Sequence, residues 1–164
     1  MSVYINMEAS VDFNNNEIAT LDALLQEYIN LSAAWESDAV TPKPAKDVRP
    51  FKLRYSFEER KALAQKHKAS CGQEMVLVIC EKSDSSQLPM LRKPRFKVPT
   101  TVTVGNFMRI IRQNLTLRDE ESLFFFVRNT IPSSIRTIGE LSHEFAEEDG
   151  FLYIQYQEES VYGN

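Results

Sequence analysis

The spacing of apolar residues changes period several times between Ser56 and Gln157, and each change predicts a different element. Val104, Phe107, Ile110, Ile111 and Leu115 recur at helical intervals, which places them on one face of a helix over Thr103–Leu115. Met75 to Glu81 is a continuous apolar run rich in valine and isoleucine and reads as a strand. Arg95 to Pro99 alternates and stops at a proline, which cannot donate to a ladder, so it reads as an edge strand. Ser122–Arg128 and Phe151–Gln157 are further strands, and Thr137–Glu147 a second short helix. Ser56, with Glu59 three residues on, forms a capping box that opens a helix running to about Lys68. Two helices can cover one face of a small mixed sheet, so the fold class is α+β rather than a repeating βαβ.

The first 49 residues differ in kind. Ile18, Leu21, Leu25, Tyr28 and Trp35 recur at three-, four- or seven-residue spacings after the cap-forming Asn14-Asn15-Asn16, which predicts an amphipathic helix at about 16–36. Residues 1–42 carry seven acids and no lysine or arginine, whereas the remainder carries all 19 basic residues against 16 acids. The chain therefore divides into an acidic extension (1–49) and a basic body (50–164), joined by a proline-containing linker at 39–50. An acidic helix is a poor ligand for an anionic membrane and a better one for the basic body or a partner.

With 164 residues, 43% of them hydrophobic, the chain is long enough to bury a core, and its apolar runs are too short to span a membrane. Met1–Asn6 lacks the features of a secretory signal, and two cysteines make no disulfide framework, which points to a cytoplasmic protein. Catalytic chemistry is scarce. His67 and His143 have no metal-ligand spacing to each other or to the cysteines, no phosphate-binding glycine loop exists, and no cofactor, metal or nucleic-acid partner is expected. Cys71 lies in a loop without a histidine partner, Cys80 reads as core, and His67 lies on the polar side of its helix and reads as a surface residue. No enzyme is expected.

One glycine stands out. Gly163 lacks a side chain and can enter a narrow cleft that other residues would block, although taken alone a frayed terminus is the better account of it. Seven blocks change that balance: Phe57-Glu58-Glu59-Arg60-Lys61, Val78-Ile79-Cys80-Glu81-Lys82, Phe96-Lys97-Val98-Pro99, Thr103-Val104-Gly105-Asn106-Phe107, Leu123-Phe124-Phe125-Phe126-Val127, Asp149-Gly150-Phe151-Leu152-Tyr153 and Glu159-Ser160-Val161-Tyr162-Gly163. In this order they resemble the autophagy ubiquitin-like modifiers, the family of GABARAP and of the light chain 3 of microtubule-associated proteins.

The resemblance implies a ubiquitin-like β-grasp with two additional N-terminal helices, at roughly residues 50–69, preceded by the helical extension. It also implies that a cysteine protease cleaves between Gly163 and Asn164. Activating and conjugating enzymes would then pass the Gly163 carboxylate to phosphatidylethanolamine, and the protein would act in autophagosome formation. The lipidated form would sit on autophagosomal membranes, held by two acyl chains.

Relatives bind cargo receptors through peptides of the form aromatic-x-x-aliphatic, added as a strand beside the second strand. The resemblance puts the aromatic pocket at His67, Leu77, Ile79, Arg95, Lys97 and Phe151, more polar than usual at His67 and Lys97. The aliphatic pocket falls on Phe96, Val98, Pro99, Val102, Phe107 and Ile110, for which ordinary core is the competing account. Lys93, Arg95 and Arg112 form a basic flank; for Arg95 and Lys97, exposed edge charges that discourage aggregation serve as well. Leu63 stands where relatives often have glutamate. In the extension, Glu27-Tyr28-Ile29-Asn30-Leu31 matches the bound pattern, so Glu27, Tyr28 and Leu31 form a candidate self-binding motif. The same residues fit a helix, and a helix cannot add as a strand. The competing function is an unconjugated ubiquitin-like binding module that uses only the groove, with the extension as its inhibitor.

Overall fold

The computed structural model describes residues 48–71 and 74–159, so the predicted helix at 16–36, the linker up to residue 47, Glu27, Tyr28, Leu31, Gly163 and Asn164 lie outside the described residues. In chain order the elements are α1 (Phe51–Arg54), α2 (Phe57–Cys71), β1 (Met75–Lys82), β2 (Arg95–Pro99), α3 (Val104–Asn114), β3 (Phe124–Phe126), α4 (Ile138–Phe145) and β4 (Leu152–Gln157). The four strands form one mixed sheet in the order β2-β1-β4-β3. β1 and β4 are parallel at its centre, and both outer pairs are antiparallel. This is the ubiquitin-like α+β fold expected from the sequence, with α1 and α2 as the additional N-terminal helices.

β1 does not alternate in hydropathy because both of its faces are covered. Val76, Val78 and Cys80 face the larger core, built with Phe96, Val98, Phe107, Ile110, Ile111, Phe125, Ile138, Leu141 and Ile154. Leu77 and Ile79 face a smaller one with Phe51, Ala64 and Phe151. A strand read as apolar throughout is what two-sided burial requires.

The larger core is held under α3 and α4. Thr103 and Thr137 cap the two helices by accepting from Asn106 N at 3.2 Å and Glu140 N at 3.1 Å. The two caps also bridge each other, with Val104 N donating to Arg136 O and Ile138 N to Val102 O. Gly139 lets α4 start this close to β2, since a Cβ there would lie 2.8 Å from that of Thr100.

On the other face, α2 opens with the expected capping box: Glu59 N donates to Ser56 Oγ and Ser56 N to Glu59 Oε2. It runs to Cys71, three residues past the predicted end. The face it turns to the sheet carries buried Ala64 and His67 with half-buried Arg60 and Leu63. β3 is shorter than predicted because a two-residue turn follows it closely. Val127 and Thr130 exchange both backbone hydrogen bonds, and Arg128 and Asn129 take φ of 47° and 64°, the left-handed pair that a tight hairpin needs.

Candidate functional site: the outer edge of β2

β2 is the last strand on its side of the sheet, as its terminal proline suggested. Cys80 N donates to Pro94 O at 2.8 Å and Thr100 N to Glu74 O at 2.9 Å, which brackets the register Val78↔Phe96 and Val76↔Val98. In an antiparallel pair, hydrogen-bonded and non-hydrogen-bonded positions alternate. The N–H and C=O of Arg95 and Lys97 therefore point to the outer side, whereas Pro99 has no N–H to offer there.

Residues expected to form the aromatic pocket gather on the α1–α2 face. Leu77, Ile79 and Phe151 are fully buried, and Lys97, paired with Leu77, is half-buried. Two expectations need correction. His67 is not a surface residue: it is 3% exposed, one turn beyond Ala64 on the face that α2 turns to the sheet. Arg95 is not an exposed edge charge either, at 7% exposure. Its guanidinium lies 5.4 Å from the Phe51 ring centre and 5.3 Å from that of Tyr55, and Nη2 donates to the Tyr55 hydroxyl at 2.7 Å. Cation–π attraction and a hydrogen bond offset the loss of water.

Phe51 and Tyr55 are site residues that the sequence reading missed. Phe51 is fully buried, edge-on to Phe151 at 5.2 Å between ring centres, with Tyr55 at 4.9 Å. The available signal was two aromatics four residues apart just before a capping box, which is one helical face. Leu63 packs against the same cluster, which accounts for an apolar residue there.

The aliphatic set lies on the opposite face of the sheet. Phe96, Val98, Val102, Phe107 and Ile110 are at most 2% exposed and belong to the larger core, while Pro99 is half-buried. Phe107 meets Phe96 edge-on at 5.4 Å. Of the basic flank, Lys93 is exposed just ahead of β2, whereas Arg112 donates to Arg118 O at 2.8 Å beyond the end of α3.

Beside the smaller core, burial pushes the Glu81 carboxyl up, against the lowering effect of a hydrogen bond from Phe51 N at 2.9 Å and of nearby Arg54 and Lys52. The same effect holds the Cys80 thiol well above its usual range. Tyr156 is pushed up to about 12, chiefly by burial. Among the described residues, burial and the contacts just named account for these shifts. At the last described residues, Glu158 accepts from Ser86 Oγ at 2.5 Å and from Gln87 N at 2.8 Å. No motif in the sequence singles out Glu158.

The family described as "Autophagy protein Atg8 ubiquitin like" matches residues 58–163. The crystal structure of Trypanosoma brucei ATG8 is similar at 31% identity with a TM-score of 0.64, covering 72% of this chain and all of that one.

Proposed function

Because the chain belongs to the Atg8 family of ubiquitin-like autophagy proteins, we propose that it is a modifier conjugated through Gly163 to phosphatidylethanolamine and an adaptor for aromatic-x-x-aliphatic peptides. The observation that carries the adaptor reading is the placement of two clusters on opposite faces of one sheet beside its outer edge. Side chains of a strand alternate between faces, so residues three apart point to opposite sides. A peptide paired along β2 presents its aromatic residue toward Leu77, Ile79 and Phe151 and its aliphatic residue toward Val98, Phe107 and Ile110. Backbone pairing to Arg95 and Lys97 supplies affinity, and the side chains supply selectivity. Arg95 and Lys97 must swing aside for the aromatic ring, a movement their flexible stems allow.

In the conjugation reading, the protease removes Asn164, and adenylation and thioester formation make the Gly163 carbonyl electrophilic before it forms an amide with the headgroup. The chain is the substrate at each step, in the cytoplasm first and on the autophagosomal membrane afterwards. The acidic extension, residues 1–49, is an appended segment rather than part of the conjugated domain.

Mass spectrometry of the protein from cells tests this reading. Loss of Asn164 with a phosphatidylethanolamine adduct on Gly163 supports it, whereas intact chain throughout leaves only the unconjugated binding module. Replacing Gly163 with alanine must abolish the adduct.

A further inference from the structure

Chain ends fray unless something ties them down. Here the end of β4 is tied from two sides. Ser83 N donates to Tyr156 O at 2.9 Å, Glu158 receives Ser86 Oγ on one carboxylate oxygen and Gln87 N on the other, and Glu159 N donates to Ser122 Oγ at 2.8 Å. The receiving loop is itself held by internal hydrogen bonds. Ser86 is 4% exposed, its oxygen accepts from Leu88 N at 3.1 Å, and its carbonyl accepts from Lys82 Nζ at 2.9 Å. Tyr156 braces the same connection by donating to Pro89 O and accepting from Leu91 N. The hydrogen bond from Ser86 also holds the Glu158 carboxyl below its ordinary range.

Both oxygens of one carboxylate are thus committed to a loop some 70 residues earlier, although β4 has already ended at Gln157. The ladder does not need this contact. What it does is fix Glu158 and Glu159, the point from which the remaining chain departs. Gly163 lies four residues beyond Glu159, so its carbonyl is confined within about 14 Å of the anchor.

We propose that Glu158 is a positioning residue for the chemistry at Gly163: its clamp on Ser86 and Gln87 holds the tail at a fixed exit that the enzymes acting on the tail meet ready-formed. The proposal rests on the conjugation reading above. Pre-ordering the root of the tail spares those enzymes the entropy of ordering it on binding, so the clamp acts on recognition and not on the bond-making step.

The test uses the full chain and its Glu158→Ala and Ser86→Ala variants. The heteronuclear NOE of the Glu159 amide, the last described residue, is expected to fall in both variants. Steady-state removal of Asn164 by the processing protease is expected to show KM raised about tenfold in Glu158→Ala, equivalent to re-ordering roughly one residue on binding, with kcat unchanged. The double variant is expected to be no worse than Glu158→Ala. Processing kinetics equal to or faster than wild type, or a Glu159 amide as ordered as in wild type, overturn the positioning role while leaving conjugation intact. Failure of the wild-type chain to be processed overturns the conjugation reading, and the positioning role with it.

Discussion

Arg60 Nε donates to Asp149 Oδ2 at 2.9 Å, joining α2 to the start of β4 across 89 residues of sequence. The Asp149 side chain is 1% exposed and that of Arg60 13%, so the pair is largely out of water. Each partner is further satisfied: Asp149 accepts from Phe151 N and the Tyr153 hydroxyl, and Arg60 Nη1 donates to Tyr55 O at 2.8 Å. Gly150 makes the fit possible, since its φ of 96° suits glycine and a Cβ there would lie 2.8 Å from that of Ala64. The network ties α2 and Tyr55 to the turn that precedes β4, beside the smaller core.

Asp149→Ala leaves a nearly buried guanidinium unpaired, and breaking such a pair costs about 3–5 kcal/mol. Denaturant unfolding is expected to show that loss. The substitution should also loosen Phe51 against Phe151, read as increased amide exchange in α1 before global unfolding. A change below about 1 kcal/mol would place the pair with weak surface ion pairs instead.

Glu81 predicts a pH dependence of definite sign. Its folded carboxyl is raised above the unfolded value, because burial outweighs the favourable contacts of Phe51 N, Arg54 and Lys52. The folded state therefore holds this proton more tightly than the unfolded one. The stability so contributed is fully present below the unfolded carboxyl range and is lost as pH rises through the folded value. Glu81→Gln keeps an acceptor for Phe51 N without a buried charge. It should be more stable than wild type at neutral pH, with the advantage shrinking toward acid in urea melts between about pH 4 and 7.

The outward direction of the Lys97 N–H separates binding from folding. Lys97→Pro removes a donor that the β1–β2 ladder does not use, so the domain should stay folded while affinity for an aromatic-x-x-aliphatic peptide falls at least about tenfold, the equivalent of one net hydrogen bond. Val98→Pro removes the N–H at a ladder position paired with Val76 and should destabilise the domain by about 3 kcal/mol. Calorimetry and thermal melts on the two variants provide the comparison; equal peptide affinity for Lys97→Pro and wild type would exclude strand addition at this edge.

Most elements were legible because their burial follows one period. The apolar face of α3 and the proline-terminated edge strand β2 needed no tertiary information. The α2 face was harder, since His67 is buried and Arg60 half-buried there while hydropathy scores both as outward-facing. Arg95 was misread for the same reason: its burial depends on Phe51 and Tyr55, some 40 residues away, supplying aromatic faces and a hydroxyl. β3 was overextended because the apolar run Leu123–Val127 continues past the point where the turn at Arg128 and Asn129 ends regular pairing. The residues of the two proposed pockets were listed through the family resemblance, but only the strand register puts them on opposite faces.

The acidic extension yields the last prediction. Glu27-Tyr28-Ile29-Asn30-Leu31 carries an aromatic and an aliphatic residue three apart, the parity that reaches both faces of the β2 edge when extended. Its segment bears seven acids without a basic residue, and the body it would meet has a net positive charge. Leu31 is 17 residues before Val48, and a random-coil chain of that length would span roughly 23 Å. A tethered competitor of this kind works at an effective concentration near about 1 mM, so a weak motif with a dissociation constant of about 0.1 mM would reduce apparent peptide affinity about tenfold. Replacing Tyr28 and Leu31 together with alanine should therefore strengthen binding of an external peptide by about that factor, as should removal of residues 1–46. Affinity unchanged by both alterations, measured by calorimetry on the otherwise intact chain, would mean that the extension does not compete for this edge. A gain that grows with protein concentration would assign the competition to a neighbouring molecule's extension.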